Sequence, residues 1–400
     1  MVMPAKTSAP TVLLATTDRW VPTARLAIAL AQVGFRVEAV CPAGHPMEKT
    51  SAVSRFYRYR GLFPVGSFTH ALISAKPDLL IPGDDLATSQ LHQVYRRELE
   101  KNPASAIAML IANSLGAPEN FPLSFARTQF IAHARAEGVR APLTQAIRNA
   151  EELRQWIAEN GLPAVLKADG TSGGDGVKVA HTLAEAETAF RKLHRPPMLA
   201  RALKRALFDH DRTLIRPALK RDRPTVNAQT FVRGHEATSA VACWKGEVLA
   251  SLHFEVLQKT DSAGPATVIR RIDNPDMTYA ADTMVRSLKL SGLHGFDFMI
   301  AENSADAYLI ETNPRSTQIG HLTLGPRHDL PAALFAAVTG QPAHFAPNIT
   351  EQSTIALFPK EWLRDSNSPY FKSSYHDVPW DEPQLIALCL GKNKRLWPPA

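Results

Sequence analysis

The chain has 400 residues, 45% of them hydrophobic, a formal charge of +7 and three cysteines, Cys41, Cys243 and Cys389. That length and composition suit two or three domains with a sizeable core. The scattered cysteines argue against a disulfide framework and a zinc site and fit a reducing, cytoplasmic setting. The first apolar run is too short for a secretory leader, and no stretch is long enough to cross a bilayer. The positive charge is local: eleven Lys or Arg stand against Asp209, Asp211 and Asp222 between Arg191 and Arg223, a net of +8 that exceeds the whole chain's total. A general nucleic-acid coat is therefore not expected, and a polyanion-binding role would rest on that segment alone.

In chain order, "TVLLAT" reads as a buried strand and "TARLAIALAQVG" as a helix, because Leu26, Leu30 and Val33 recur at helical spacing. "FRVEAV" alternates as a strand does, and "PDLLIPGDD" is a further apolar run ending in turn residues. Residues 1–118 thus form a doubly wound βα domain with a parallel sheet. Its first βα turn, "ATTDRWVP", holds no glycine, so the dinucleotide fingerprint is missing there. The helix "FARTQFIAHARAEG" ends at Gly138. After it come the helix "EELRQWIAENG", the strand "AVLKAD", a glycine-rich loop, the strand "VKVA" and a helix from Thr182 with Glu185 completing a capping box.

"PPMLARALKRALFDH" places Leu199, Leu203 and Leu207 four apart, as an amphipathic helix does. From Thr225 an antiparallel sheet is expected, with strands of five to eight residues and a turn at "WKGE". "ADTMVRSLKLSG" is helical, and "LHGFDFMIAENSADAYLIETNPR" makes two strands joined by a polar loop. From about Pro347 the chain reads as a proline-rich, irregular extension, residues 347–400. No internal repeat is present.

The loop "GTSGGDGVK" fails the P-loop pattern, because its lysine is not adjacent to the last glycine and precedes Val179 instead of Ser or Thr. It also fails the G-x-G-x-x-G pattern. What remains is strand, lysine, glycine hairpin, strand, in which backbone N–H groups close over phosphate oxygens above Lys167. A plain surface hairpin is the competing reading. A second cluster decides between them. Asp297 sits on one strand while Glu311 and Asn313 alternate along the next, so all three can share one face of a paired sheet. Hard oxygen ligands of this kind suit Mg²⁺ held jointly with phosphates. The apolar neighbours Phe296, Phe298, Leu309 and Ile310 mark the strands as buried.

Together these residues resemble the ATP-grasp superfamily, over roughly residues 120–325. The resemblance implies an α/β chain: the N-terminal doubly wound domain, then an ATP-grasp domain at 119–346 whose small lobe, about 160–233, and large lobe, about 234–346, clasp ATP. It implies that Lys167 binds phosphate, that Ser172, Gly173, Gly174 and Gly176 belong to the mobile phosphate loop, and that Arg127 stands where a second phosphate-binding lysine is usual. Gln229 would meet the adenine amino group, the backbone from Thr230 to Val232 the adenine edge, and Glu236 the ribose. Asp297, Glu311 and Asn313 would hold Mg²⁺, with Mn²⁺ as a substitute, and Arg315 would steady an acylphosphate, helped by Arg270 or Arg271. The D-alanine ligase branch has an arginine where this chain has Gly295, which argues against that activity.

The implied function is an ADP-forming ligase joining a small-molecule carboxylate to an amine or other nucleophile. The alternatives are a carboxylase-like enzyme using bicarbonate, and a nucleotide- or polyanion-binding protein without catalysis. No nucleic-acid partner is expected, and a homodimer is allowed for. Further pocket candidates are Gln318 and His321, which follow the metal strand, and His253, Glu255 and Lys259, although a lone histidine is more often structural.

Overall fold

The computed structural model describes residues 9–169, 176–196, 219–220, 222–262, 264–342, 345 and 347–391. The chain opens with β1 (Thr11–Ala15), α1 (Val21–Gln32), β2 (Arg36–Cys41), β3 (Val53–Arg58), α2 (Pro64–Ala75), β4 (Leu79–Pro82), α3 (Asp85–Lys101) and α4 (Ala106–Leu115). The strands form a parallel sheet in the order β3-β2-β1-β4. β1 is apolar throughout because both of its faces are covered. Val12 and Leu14 pack with Leu26 and Leu30 of α1, while Leu13 and Ala15 pack with Phe68 of α2 and Leu91 of α3. The winding direction reverses between β1 and β4, which opens a crevice at their carboxyl ends, the usual place for a ligand on such sheets. Asp84 ties that crevice together, accepting from Thr16 Oγ1 at 2.7 Å, Thr17 N at 2.6 Å and Thr17 Oγ1 at 2.8 Å while also capping α3 through Ala87 N at 2.8 Å.

Next come α5 (Arg127–Ala136), β5 (Thr144–Ile147), α6 (Ala150–Asn160), β6 (Ala164–Ala168), β7 (Val177–Ala180), α7 (Leu183–Leu193) and β8 (Val226–Thr230). The four strands make an antiparallel sheet ordered β5-β8-β6-β7. Trp156 and Leu153 of α6 and Phe190 of α7 bury one of its faces with Leu166, Ala168, Val226 and Ala228. This core is separate from every other apolar cluster. The opposite face of the small sheet therefore lacks an apolar cover shared with the rest of the chain and is open to polar chemistry.

β9 (Gly234–Trp244), β10 (Glu247–Lys259), β11 (Ala266–Arg271), α8 (Pro275–Ser287), β12 (Gly292–Ala301), β13 (Ala307–Asn313) and α9 (Leu330–Thr339) build most of the third layer. β9 and β10, at 11 and 13 residues, exceed the expected five to eight, because side chains on both faces find cover along their length. Val241 and Cys243 pack on Met277 and Met284 of α8, whereas Ala240 and Ala242 join the cluster that includes α1. The hairpin between them turns at Lys245 and Gly246, with φ of 51° and 85°, the left-handed pair of a type I′ turn.

The expectation of an irregular tail is corrected by the structure. β14 (Thr354–Leu357), α10 (Lys360–Arg364), α11 (Tyr370–Ser373), β15 (Tyr375–Asp377) and α12 (Pro383–Leu390) follow, and the two strands extend the large sheet to the order β13-β12-β9-β10-β11-β14-β15. Ile355, Leu357 and Leu385 lie in the main core. Strands of four and three residues are too short to display a period, which hid them among the prolines.

Arg25 on α1, His321 and Asp377 on β15 meet in a buried ion cluster, with His321 Nε2 at 2.8 Å from Asp377 Oδ2 and an Arg25–Asp377 bond beside it. His321 is thus a structural residue fastening the tail. Burial holds it below its ordinary pKa, against the pull of Asp377. No helix among the described residues is long and apolar enough to cross a membrane.

Candidate nucleotide and metal site

The face of the small sheet turned away from the Trp156 core is polar by alternation, and Lys167, Asn227 and Gln229 on it are buried. Lys167 lies opposite Asn227, Val165 opposite Gln229, and Gln229 opposite Thr144, so these side chains share the face turned away from the Trp156 core. Asn227 donates to Asp169 Oδ1 at 2.8 Å and accepts from Thr128 Oγ1 at 2.5 Å, while Gln229 Nε2 donates to Thr144 Oγ1 at 2.9 Å. The structure gives the Gln229 amide oxygen no protein donor among the described residues.

Lys167 is only 6% exposed, and among the described residues no carboxylate comes within ion-pair distance of it. Burial lowers its pKa to about 8, opposed by Glu311, Asp297 and Glu236 and reinforced by Arg127. An ammonium held in this way favours an anionic partner.

On the large sheet Asp297 faces Glu311 across the β12–β13 pair, and Asn313 lies opposite Gly295. Asn313 Nδ2 donates to Asp297 Oδ2 at 2.9 Å, and Thr238 Oγ1 to Asp297 Oδ1 at 2.9 Å. Burial, then the neighbouring Glu311, pushes the Asp297 carboxyl up to about 6 against these two bonds and Arg315. Arg127, the first residue of α5, spans the lobes. Its Nη2 donates to Glu311 Oε1 at 2.6 Å and its Nη1 to the Ala168 carbonyl at 2.8 Å, with Asp169 at 4.0 Å. Arg315 donates to Asn313 Oδ1 at 3.1 Å and to Asp85 Oδ1 at 3.0 Å, joining the end of β13 to the crevice of the first sheet.

The expected residues Arg127, Lys167, Asp297, Glu311, Asn313 and Arg315 are therefore brought into one cluster, with the Gln229 stripe above it. Gly176 closes the β6–β7 hairpin by accepting from Ala168 N at 2.9 Å. The Thr230 amide is committed to the Leu143 carbonyl at 2.9 Å, Val232 is half-buried in the link to the large lobe, and Glu236 pairs with Lys259 at 2.7 Å. Ser172, Gly173 and Gly174 lie outside the described residues, as does most of the basic segment with Leu199, Leu203 and Leu207.

Arg270 is a correction. Asp297 lies opposite Thr238, Thr238 opposite Phe254 and Phe254 opposite Arg271, so Arg271 shares the face of Asp297 and Arg270 takes the other. There Arg270 pairs with Glu255, which also approaches His235 at 3.4 Å, and it is half exposed. His253 is likewise structural, bonded to Ser239 at 2.7 Å and Thr278 at 3.3 Å.

Sequence reasoning missed Asp169, Asn227, Thr128, Thr238, Asp85, Trp20 and Lys360. Asn227 carried a usable signal, since it alternates with Gln229 on one strand; the others come together only through the fold. Gly295 is explained as well. A Cβ there would lie 2.3 Å from Thr317 Cγ2, so glycine lets the loop after β13 close over the sheet and leaves no room for an arginine.

The donor chemistry fits a magnesium ion shared with phosphates. Among the described residues no three His, Cys, Asp or Glu side chains gather into a metal cage, and two carboxylates with one amide oxygen is the sparse protein set Mg²⁺ uses. One separately cored lobe presents a buried lysine and the other a carboxylate-bearing sheet, and Arg127 joins the two.

Residues 127–323 match the family model described as the carbamoyl-phosphate synthase L chain ATP-binding domain. Among solved structures, the ADP complex of N5-carboxyaminoimidazole ribonucleotide synthetase superposes with a TM-score of 0.60 at 15% identity, covering 87% of this chain and 81% of that one. The biotin carboxylase domain of Hydrogenobacter thermophilus 2-oxoglutarate carboxylase, with MgADP, ADP and bicarbonate, gives 0.57 at 14%, covering 85% and 72%. The Aspergillus clavatus N5-carboxyaminoimidazole synthase, with ADP and 5-aminoimidazole ribonucleotide, gives 0.59 at 15%, covering 84% and 78%. No curated protein matches the chain by sequence.

Proposed function

We propose that the protein is an ATP-dependent, ADP-forming ligase that activates a carboxylate as an acylphosphate and passes the acyl group to an amine or other nucleophile. The observation that carries this reading is the convergence of Lys167 and Arg127 on Asp297 and Glu311 across two lobes. Lys167 and Arg127 bind phosphate oxygens, the Gln229 carbonyl accepts from the adenine amino group, and Glu236 receives the ribose. Asp297, Glu311 and Asn313 would hold Mg²⁺, which supplies charge neutralisation on the phosphates.

A substrate carboxylate oxygen attacks the γ-phosphorus as the bond from that phosphorus to the ADP oxygen breaks. The nucleophile then forms a bond to the acyl carbon, phosphate leaves and the nucleophile's proton is released. Arg315 offers fixed donors to the negative charge that develops on the acyl oxygen.

Purified protein incubated with MgATP and a panel of acids with and without amines tests the reading. ADP release that needs both a particular acid and a nucleophile, with product mass equal to acid plus nucleophile minus water, supports it; nucleotide binding with no ADP release from any pair, bicarbonate included, refutes it.

A pH dependence follows from the two shifted groups. The nucleotide site needs Asp297 ionised, which is lost as pH falls through about 6, and Lys167 protonated, which is lost as pH rises through about 8. The free-enzyme profile of kcat/KM for MgATP is expected to be bell-shaped with limbs near those values. In Lys167→Arg the alkaline limb moves up, because a guanidinium stays charged.

A further inference from the structure

The crevice at the carboxyl ends of β1 and β4 carries a second cationic feature. Trp20, at the start of α1, lies under two cations: the Arg315 guanidinium carbon is 5.4 Å from its ring centroid and the Lys360 Nζ is 5.6 Å away. Lys360 belongs to α10, at the end of the turn that follows β14, so the first sheet, the metal strand and the tail meet at this indole. Gln318 braces the lysine, accepting from Nζ through its amide oxygen while its Nε2 donates to the Ala266 carbonyl at 3.3 Å.

The two cations are not equivalent. Arg315 is committed to Asp85, Asn313 and the Ser316 carbonyl. Lys360 is half-buried, and among the described residues it has no carboxylate within ion-pair distance and one protein acceptor, leaving two ammonium hydrogens uncommitted. Burial and Arg315 lower its pKa to about 8, so the charge is held at a cost that a bound anion would relieve. With Asp85 answering Arg315, one positive charge is left over, which suits a single planar monoanion bound at the Lys360 ammonium.

We propose that Lys360, with Trp20 as its floor and Gln318 as its brace, seats the carboxylate of the acid substrate beside Arg315. This rests on the ligase reading. The shared chemistry is a planar –CO2⁻ group, from an organic acid or from bicarbonate, and the test separates the two from phosphate.

Protein saturated with Mg-ADP is titrated against carbon-13 acetate, carbon-13 bicarbonate and inorganic phosphate, with binding read from carbon and phosphorus line broadening. Saturable binding of acetate or bicarbonate is expected, weakened about 10- to 100-fold in Lys360→Met by loss of a charge-assisted hydrogen bond. Lys360→Arg should retain most of the affinity, and ADP affinity should be the same in all three proteins. Should Lys360→Met fail to fold, Gln318→Leu, which removes the brace, is expected to weaken the same titration in the same direction.

Unchanged carboxylate affinity in Lys360→Met or, where that variant does not fold, in Gln318→Leu, preferential binding of phosphate, or loss of ADP affinity in Lys360→Met overturns the assignment. Failure of the wild-type protein to bind Mg-ADP refutes the ligase reading instead, and the anion titrations without nucleotide still report on Lys360.

Discussion

Glu311→Gln is expected to lower MgATP-dependent ADP release by about 10²- to 10³-fold while leaving the fold intact, because it removes one fixed charge from the transition state. Glutamine keeps the shape of the side chain and can still accept from Arg127 Nη2, whose bond to the Ala168 carbonyl is untouched. The loss should therefore appear in turnover and in magnesium dependence, with circular dichroism and thermal midpoint close to those of the parent. Turnover within about threefold of the parent would remove Glu311 from the metal set and with it the main support for the site as assigned. The converse change, Arg127→Met, should weaken nucleotide binding and leave Glu311 without its nearest cation, so the double variant should lose less than the two single losses combined.

The largest effect on stability is expected at Asp377. Its carboxylate is buried with Arg25 and His321, and those two groups hold it below the ordinary carboxylate range although burial alone would raise it. Asp377→Ala leaves the Arg25 guanidinium buried without its carboxylate and should cost about 3–5 kcal/mol, read as a lower urea midpoint at pH 7. The linkage has a definite sign. The folded-state pKa lies below the unfolded value of about 4, so the contribution is complete above pH 4 and is lost as acid protonates the group. His321 is held below its ordinary value too, so its burial as the neutral ring adds stability that fades as pH falls below about 6.5. A parent whose midpoint does not change between pH 7 and pH 4, or an Asp377→Ala midpoint equal to the parent's, would show that this cluster does not fasten the tail.

Much of the molecule was legible from local pattern. The apolar "TVLLA" and the helical spacing of Leu26 and Leu30 gave the parallel sheet, because burial on both faces writes itself into consecutive residues. The two-residue alternation of Glu311 and Asn313 gave the shared face on β13, and the glycine hairpin after Lys167 marked the small lobe. The residues that escaped are those whose partners come from distant elements. Asp85, Trp20 and Lys360 meet only after three parts of the chain converge, and no period within any one of them carries that information.

Arg270 was misjudged for a related reason. Its neighbour Arg271 has the same chemistry, and only the register running from β12 through β9 and β10 to β11 decides which of the two faces the carboxylates. The tail was misread because Ile355 and Leu357 belong to a strand of four residues, too brief to declare itself against flanking prolines.

The small sheet keeps its own core around Trp156 and Phe190, and at this site it is tied to the rest by polar contacts such as Arg127 Nη1 donating to the Ala168 carbonyl. Such an element can open without disrupting the layers beneath it. Amide exchange should accordingly report the β5–β8 unit as a separate cooperative block that opens more often than β9, β10 and β12, and nucleotide that bridges the lobes should slow its exchange toward theirs.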